Sequence, residues 1–133
     1  MGRIVKRVER FHKQEGAAAV EFALLLPVLL IILLGIIDFG LYFYNDLQLT
    51  HAARDAARYL SVGNSTGAQQ ALDDAKDRLV STSTPAVTLT PGSQGQEATV
   101  TVTATYNFIT PLPAFVGIGS SVGINASAVM RRE

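Results

Sequence analysis

Residues 16–40 read GAAAVEFALLLPVLLIILLGIIDFG, and this stretch decides what kind of protein the chain can be. Between Ala17 and Ile37 the only charge is Glu21. A helix rises about 1.5 Å per residue and a bilayer's hydrocarbon core is roughly 30 Å thick, so about 20 apolar residues cross it. This run has that length. Asp38 marks its far end, and Tyr42, Phe43 and Tyr44 supply the aromatic belt expected at a membrane–water interface. A core helix of a soluble protein would need apolar elements on every side, and the rest of the chain holds too few apolar residues for that. Nor does a cleaved secretory signal fit. After Ile37 the chain continues DFGLYFYND, without small residues in an A-x-A-like pattern, and Ala17–Ala19 lie on the wrong side of the apolar run.

Outward from this run, charge divides the chain. Of 133 residues, 17% are charged and 48% hydrophobic, too apolar a balance for an ordinary soluble domain of this length. The formal net charge of zero conceals a basic head. Residues 1–16 hold Arg3, Lys6, Arg7, Arg10 and Lys13 against Glu9 and Glu15, a net +3; the rest holds six basic and nine acidic side chains, a net −3. Basic residues before an apolar run place the N-terminus in the cytoplasm. A nucleic-acid site is disfavoured because the basic run stops where the apolar segment begins. The chain has no cysteine, which excludes disulfides, zinc–thiolate sites and thiol nucleophiles.

Beyond the span, NDLQLTHAARDAARYL (45–60) continues the helix. Leu49, Ala52, Ala53, Ala56, Ala57 and Leu60 recur at three- and four-residue spacing on one face. That alanine-rich stripe allows close approach, either of the protein's own sheet or of a neighbouring helix. SVGNSTG (61–67) ends this helix, and a second, shorter one is expected over 68–80, with Asp74 and Arg78 as a favourable i,i+4 pair. Asp73, Asp74 and Asp77 read as a solvated face, since Lys76 and Arg78 interleave and no calcium-loop glycine pattern accompanies them.

From residue 86 the period changes to two. Val87 and Leu89 alternate with threonines, PGSQGQ (91–96) is turn chemistry, and Ala98, Val100, Val102, Ala104 and Tyr106 share one face of the next strand. So short a turn predicts an antiparallel hairpin. NFITPLPAFVGIG should be a loop with Leu112, Phe115 and Val116 available to pack. A last strand follows, with Val122, Ile124, Ala126, Ala128 and Met130 on one side. The expected fold class is α+β. A long N-terminal transmembrane helix continues into a periplasmic helix, followed by a short second helix and a three-stranded antiparallel sheet. The expected organisation is a basic leader over 1–16, a transmembrane helix over 17–40 and a small α+β domain over 41–133.

The chemistry concentrates at Gly16-Ala17-Ala18-Ala19-Val20-Glu21-Phe22. A carboxylate at the edge of a membrane helix costs about 2–3 kcal/mol or more unless it has a partner. Cleavage after Gly16 would make Ala17 a free α-ammonium, able to pair with Glu21 within one helix or between neighbours, where it would set their axial stagger. Pro27 is tolerated inside a membrane helix; it produces a kink or marks where the helix unwinds on leaving the bilayer.

These residues carry a resemblance. The block at 16–40, followed by LTHAARDAARYLSVG (49–63), is similar to the TadE-like family of the tight-adherence (Tad) pilus system, and VTVTATYNFITPLPAF and NASAVMRRE resemble the end of the same domain. Its specific marks are Glu21-Phe22, Pro27 and Asp38 before Phe39-Gly40. The resemblance implies a bacterial minor pilin or pseudopilin precursor, cut between Gly16 and Ala17 by an aspartyl prepilin peptidase. It implies partnership with other pilins and with pilus assembly platform proteins. It also implies an inner-membrane, single-pass location with the C-terminal domain outside, and assembly into a fibre. The alternative is an uncleaved, membrane-anchored periplasmic adaptor.

No enzyme is expected. The histidines are His12, in the leader, and His51, on the alanine-rich helix; no G-x-S-x-G elbow, phosphate loop or H-E-x-x-H motif is present. No cofactor, metal or small-molecule substrate is implied.

Overall fold

A computed structural model describes the backbone of residues 2–133 and the side chains of residues 16–133. The basic side chains at positions 3–13 and His12 lie outside the described residues. Contacts divide the chain into two units, one ending at Ile36 and one running from Ile37 to Glu133.

The first unit belongs to α1 (Gly2–Ser61), whose residues 16–33 are exposed throughout. Among the described residues, one helix is long and apolar enough to cross a membrane, and none of its most apolar window is buried. So many bare leucines and isoleucines would be untenable in water, where each buried aliphatic side chain is worth about 1.5–3 kcal/mol.

The second unit is α+β. The rest of α1, then α2 (Ser65–Lys76), covers one face of a sheet ordered β1-β2-β3, formed by Ala86–Thr90, Glu97–Asn107 and Ser121–Arg131. Both pairings are antiparallel: Leu89 opposes Val100, and Val102 opposes Ala126. A one-turn α3 (Leu112–Val116) lies between β2 and β3. The alternation read from the sequence holds through β2, where Ala98, Val100, Val102, Ala104 and Tyr106 are all buried while threonines line the other face. On β3, Ile124, Ala126 and Ala128 are buried on the same side. β-Branched threonine suits the solvated face because it fills a pleated surface without needing burial.

Ala52, Ala53, Ala56 and Ala57 of α1 are buried in the same core as Ala68, Leu72 and Ala75 of α2 and the sheet face. The middle of this core is small on all sides, so the layers approach closely, while Leu49, Leu60 and Tyr106 are its largest fully buried apolar side chains.

Three expectations need correction. The second helix starts earlier and ends sooner than 68–80. Gly63 adopts φ +76°, a left-handed residue just past α1, and Asn64 then caps α2, its Oδ1 accepting from Gly67 N at 2.8 Å. At the other end the chain leaves the helix after Lys76 because Val80 is claimed by Asn45 on α1. Arg78 therefore falls outside α2, and the ion pair that forms is Lys76 with Asp73, at 2.6 Å. The 107–119 segment is not all loop, because Pro113 favours the first turn of α3 and Gly117, at φ +72°, closes it. Within it Pro113 is buried, whereas Phe115 and Val116 point outward.

Candidate functional site

Gly16, Ala17, Glu21, Phe22 and Pro27 all lie on α1 and all are exposed. A Cβ built on Gly16 would meet nothing within 4 Å, so no packing demands glycine there. In a helix interior glycine is about 1 kcal/mol less favourable than alanine, which makes Gly16 a weaker helical position than the alanines that follow it. Ala17 and Glu21 are four residues apart, hence neighbours on one helix face. Among the described residues Glu21 has no ion-pair partner. α1 is continuous through Pro27.

The alanine stripe has an occupant inside the molecule. Ala53, Ala56 and Ala57 have no exposed surface, and the core around them is made by the protein's own sheet and α2. Asp73, Asp74 and Asp77 do not converge; Lys76 beside Asp73 holds that carboxyl below its usual range, and among the described residues no three acidic or histidine side chains are grouped to hold a metal.

Two sites escaped the sequence reading. Asp38, read there as the end marker of the apolar run, is 2% exposed and organises the far end of the sheet. Its Oδ1 accepts from Ile109 N at 3.1 Å, from Thr110 N at 3.4 Å and from the Tyr106 hydroxyl at 3.4 Å. Its Oδ2 accepts from the Thr110 hydroxyl, which in turn accepts from Leu112 N at 3.3 Å. A buried carboxylate is tolerated only when its lone pairs are met in this way. Tyr106 is driven above its ordinary pKa by burial first and by the adjacent Asp38 charge second. The second site is Asn45, fully buried, which bonds both backbone groups of Val80. The available signal was a polar residue on the helical face of Leu49 and Ala52: positions 38, 42, 45, 49 and 52 share that spacing.

Residues 16–58 match the family model described as TadE-like protein. Comparison with curated proteins gave no match, and comparison with solved structures gave none.

Proposed function

We propose that this chain, TadE-like over residues 16–58, is a minor pilin or pseudopilin precursor of a Tad-type pilus, processed by a prepilin peptidase after Gly16. The observation that carries the reading is the extent of the match. It begins at Gly16, runs through the exposed apolar part of α1, and continues to Arg58 among the buried alanines of the second unit. The family pattern thus covers the anchor and the helix on which the folded head is built. A long apolar helix with a small α+β head is the form a protein needs if it waits in a membrane and is then withdrawn into a fibre by contacts with other pilin helices.

In this reading the basic residues before Gly16 keep the N-terminus cytoplasmic, where the peptidase cuts, and the head lies on the other side. Cutting frees the Ala17 ammonium as a partner for Glu21. Within one helix the pair neutralises a carboxylate at the membrane edge; between helices it sets their stagger. Partners are the peptidase, the other pilins and the assembly platform, and the role is structural rather than catalytic.

The test is the intact mass of the protein from its native membrane, with and without the peptidase. Loss of residues 1–16 only when the peptidase is present is the expected result. Gly16→Asp should block it while leaving the unfolding transition of the head unchanged, because the site is open on all sides. Full-length protein in both strains would overturn the reading and leave an uncleaved membrane-anchored adaptor.

A further inference from the structure

From Ala98 to Met130 the chain carries no charged side chain. Within that stretch, Ile109, Phe115, Val116 and Ile118 are each more than half exposed, Phe115 at 78%. The alternating strands account for the lack of charge on the buried face, but not for a bare apolar segment between them.

Its position within the second unit is fixed by Asp38, which binds Ile109 N, Thr110 N and the Thr110 hydroxyl. Asp38 directly follows Ile37, the last residue of the apolar run. Phe39 and Phe43, both exposed, stand edge to face at 4.6 Å at the same height on α1, where aromatic side chains mark an interface. The opposite end of the unit is different. There β2 begins at Glu97, β3 ends at Arg131, and Glu133 N bonds Ser61 O at 3.1 Å, at the C-terminal end of α1. From Asp38 to Ser61 the helix rises roughly 35 Å, and the 11-residue β2 spans a similar length, about 36 Å. The unit therefore carries Glu97, Arg131 and Glu133 at one end, while at the other the uncharged loop shows bare apolar side chains beside the buried Asp38 carboxylate that closes the apolar run.

We propose that residues 109–118 are a second membrane contact, a loop whose Phe115, Val116 and Ile118 enter the boundary between headgroups and acyl chains. Its ligand is a lipid surface of no particular headgroup charge, since the segment offers none. This rests on the reading of α1 as a bilayer anchor. That anchor brings lipid to the segment at no further loss of freedom, and interfacial apolar groups sit about 5–10 Å into the boundary. Asp38 gives the contact its depth, because it ties the base of the loop to the helix at the exit point.

The chain has no tryptophan, so a single substitution makes a specific probe in the full-length protein. Phe115→Trp, Leu29→Trp and Val62→Trp would each be reconstituted in phosphatidylcholine vesicles with ordinary or brominated acyl chains. All three positions are exposed, so the variants preserve the packing. Blue-shifted Phe115→Trp emission that loses about half its intensity in brominated lipid, beside unquenched Val62→Trp, is the expected result. Leu29→Trp reports the anchor separately. Its quenching together with an unquenched, acrylamide-accessible Phe115→Trp would overturn the loop contact and leave the anchor standing. Phe115→Trp shielded from acrylamide yet untouched by bromine would also overturn it, in favour of a contact between copies of the chain. Loss of quenching at both Leu29→Trp and Phe115→Trp would overturn anchor and loop together.

Discussion

Asn45 holds both backbone groups of Val80: its Oδ1 accepts from Val80 N and its Nδ2 donates to Val80 O, each at 2.9 Å. The side-chain amide thus acts as one residue of a β-ladder supplied from a helix. It stops the chain after α2 and turns it through Ser81, at φ +53°, onto the end of β2. There Asn107 N donates to Ser81 O at 2.8 Å and Ser83 N to Thr105 O at 2.8 Å. With Asn45 fully buried, neither of its polar atoms has water as an alternative.

Asn45→Asp should lower unfolding stability by about 2–3 kcal/mol in denaturant titrations of the full chain in micelles, because an oxygen would then face Val80 O. Stability should recover in acid, where a protonated carboxyl can again donate. Asn45→Ala, with no donor at any pH, should show no such recovery. Equal behaviour of the two variants across pH would remove the clasp from the account.

Asp38→Ala should be more damaging, by about 3–5 kcal/mol, since it strands the buried Tyr106 hydroxyl and removes the acceptor of two partly buried backbone N–H groups and of the Thr110 hydroxyl. Asp38→Asn keeps one acceptor and should lose less. Limited proteolysis gives a second readout: cleavage within 107–120 should accelerate in Asp38→Ala before cleavage elsewhere. Uniform acceleration along the chain would mean that Asp38 stabilises the whole fold rather than this segment.

Tyr106 makes stability fall in alkali. Its folded pKa is raised above the ordinary value of 10.0, so the folded state favours the neutral phenol. The contribution is complete below pH 10, and it is lost as pH rises from there through the folded pKa, because the unfolded chain releases its proton first. Tyrosinate absorbance should show a late-titrating component that Tyr106→Phe lacks. If the variant retained it, the late component would belong to another tyrosine.

Ala56→Leu introduces three carbons where no surface is exposed and should destabilise the head by about 1–3 kcal/mol. Asp55→Leu, on the exposed side of the same turn, should leave unfolding nearly unchanged. Were Ala56→Leu to fold normally and fail only in fibre incorporation, the stripe would be an assembly surface instead of a core.

The apolar run and the two-residue alternation were legible because each is a local pattern. Any window around Leu24–Leu34 reports its own hydropathy, and Val100-Thr101-Val102-Thr103 reports its own pleat. The end of α2 was not legible in the same way. Its helical periodicity runs on to Leu79, but a side chain 35 positions earlier captures Val80. The buried role of Asp38 was missed for a related reason. An aspartate ending an apolar helix looks like an interface marker until its partner, Ile109 N, is brought in from 71 positions away.

By itself, the sequence determined that the chain has a bilayer-length apolar helix and an α+β head with a threonine-lined outer face. Composition and periodicity act within a few residues, and side-chain type alone decides them. Only the tertiary structure decided the strand order, the use of the alanine stripe as internal core, and the burial of Asp38 and Asn45. A buried polar group is tolerated only where distant backbone donors and acceptors converge on it, and that convergence exists once the sheet has closed on the helix.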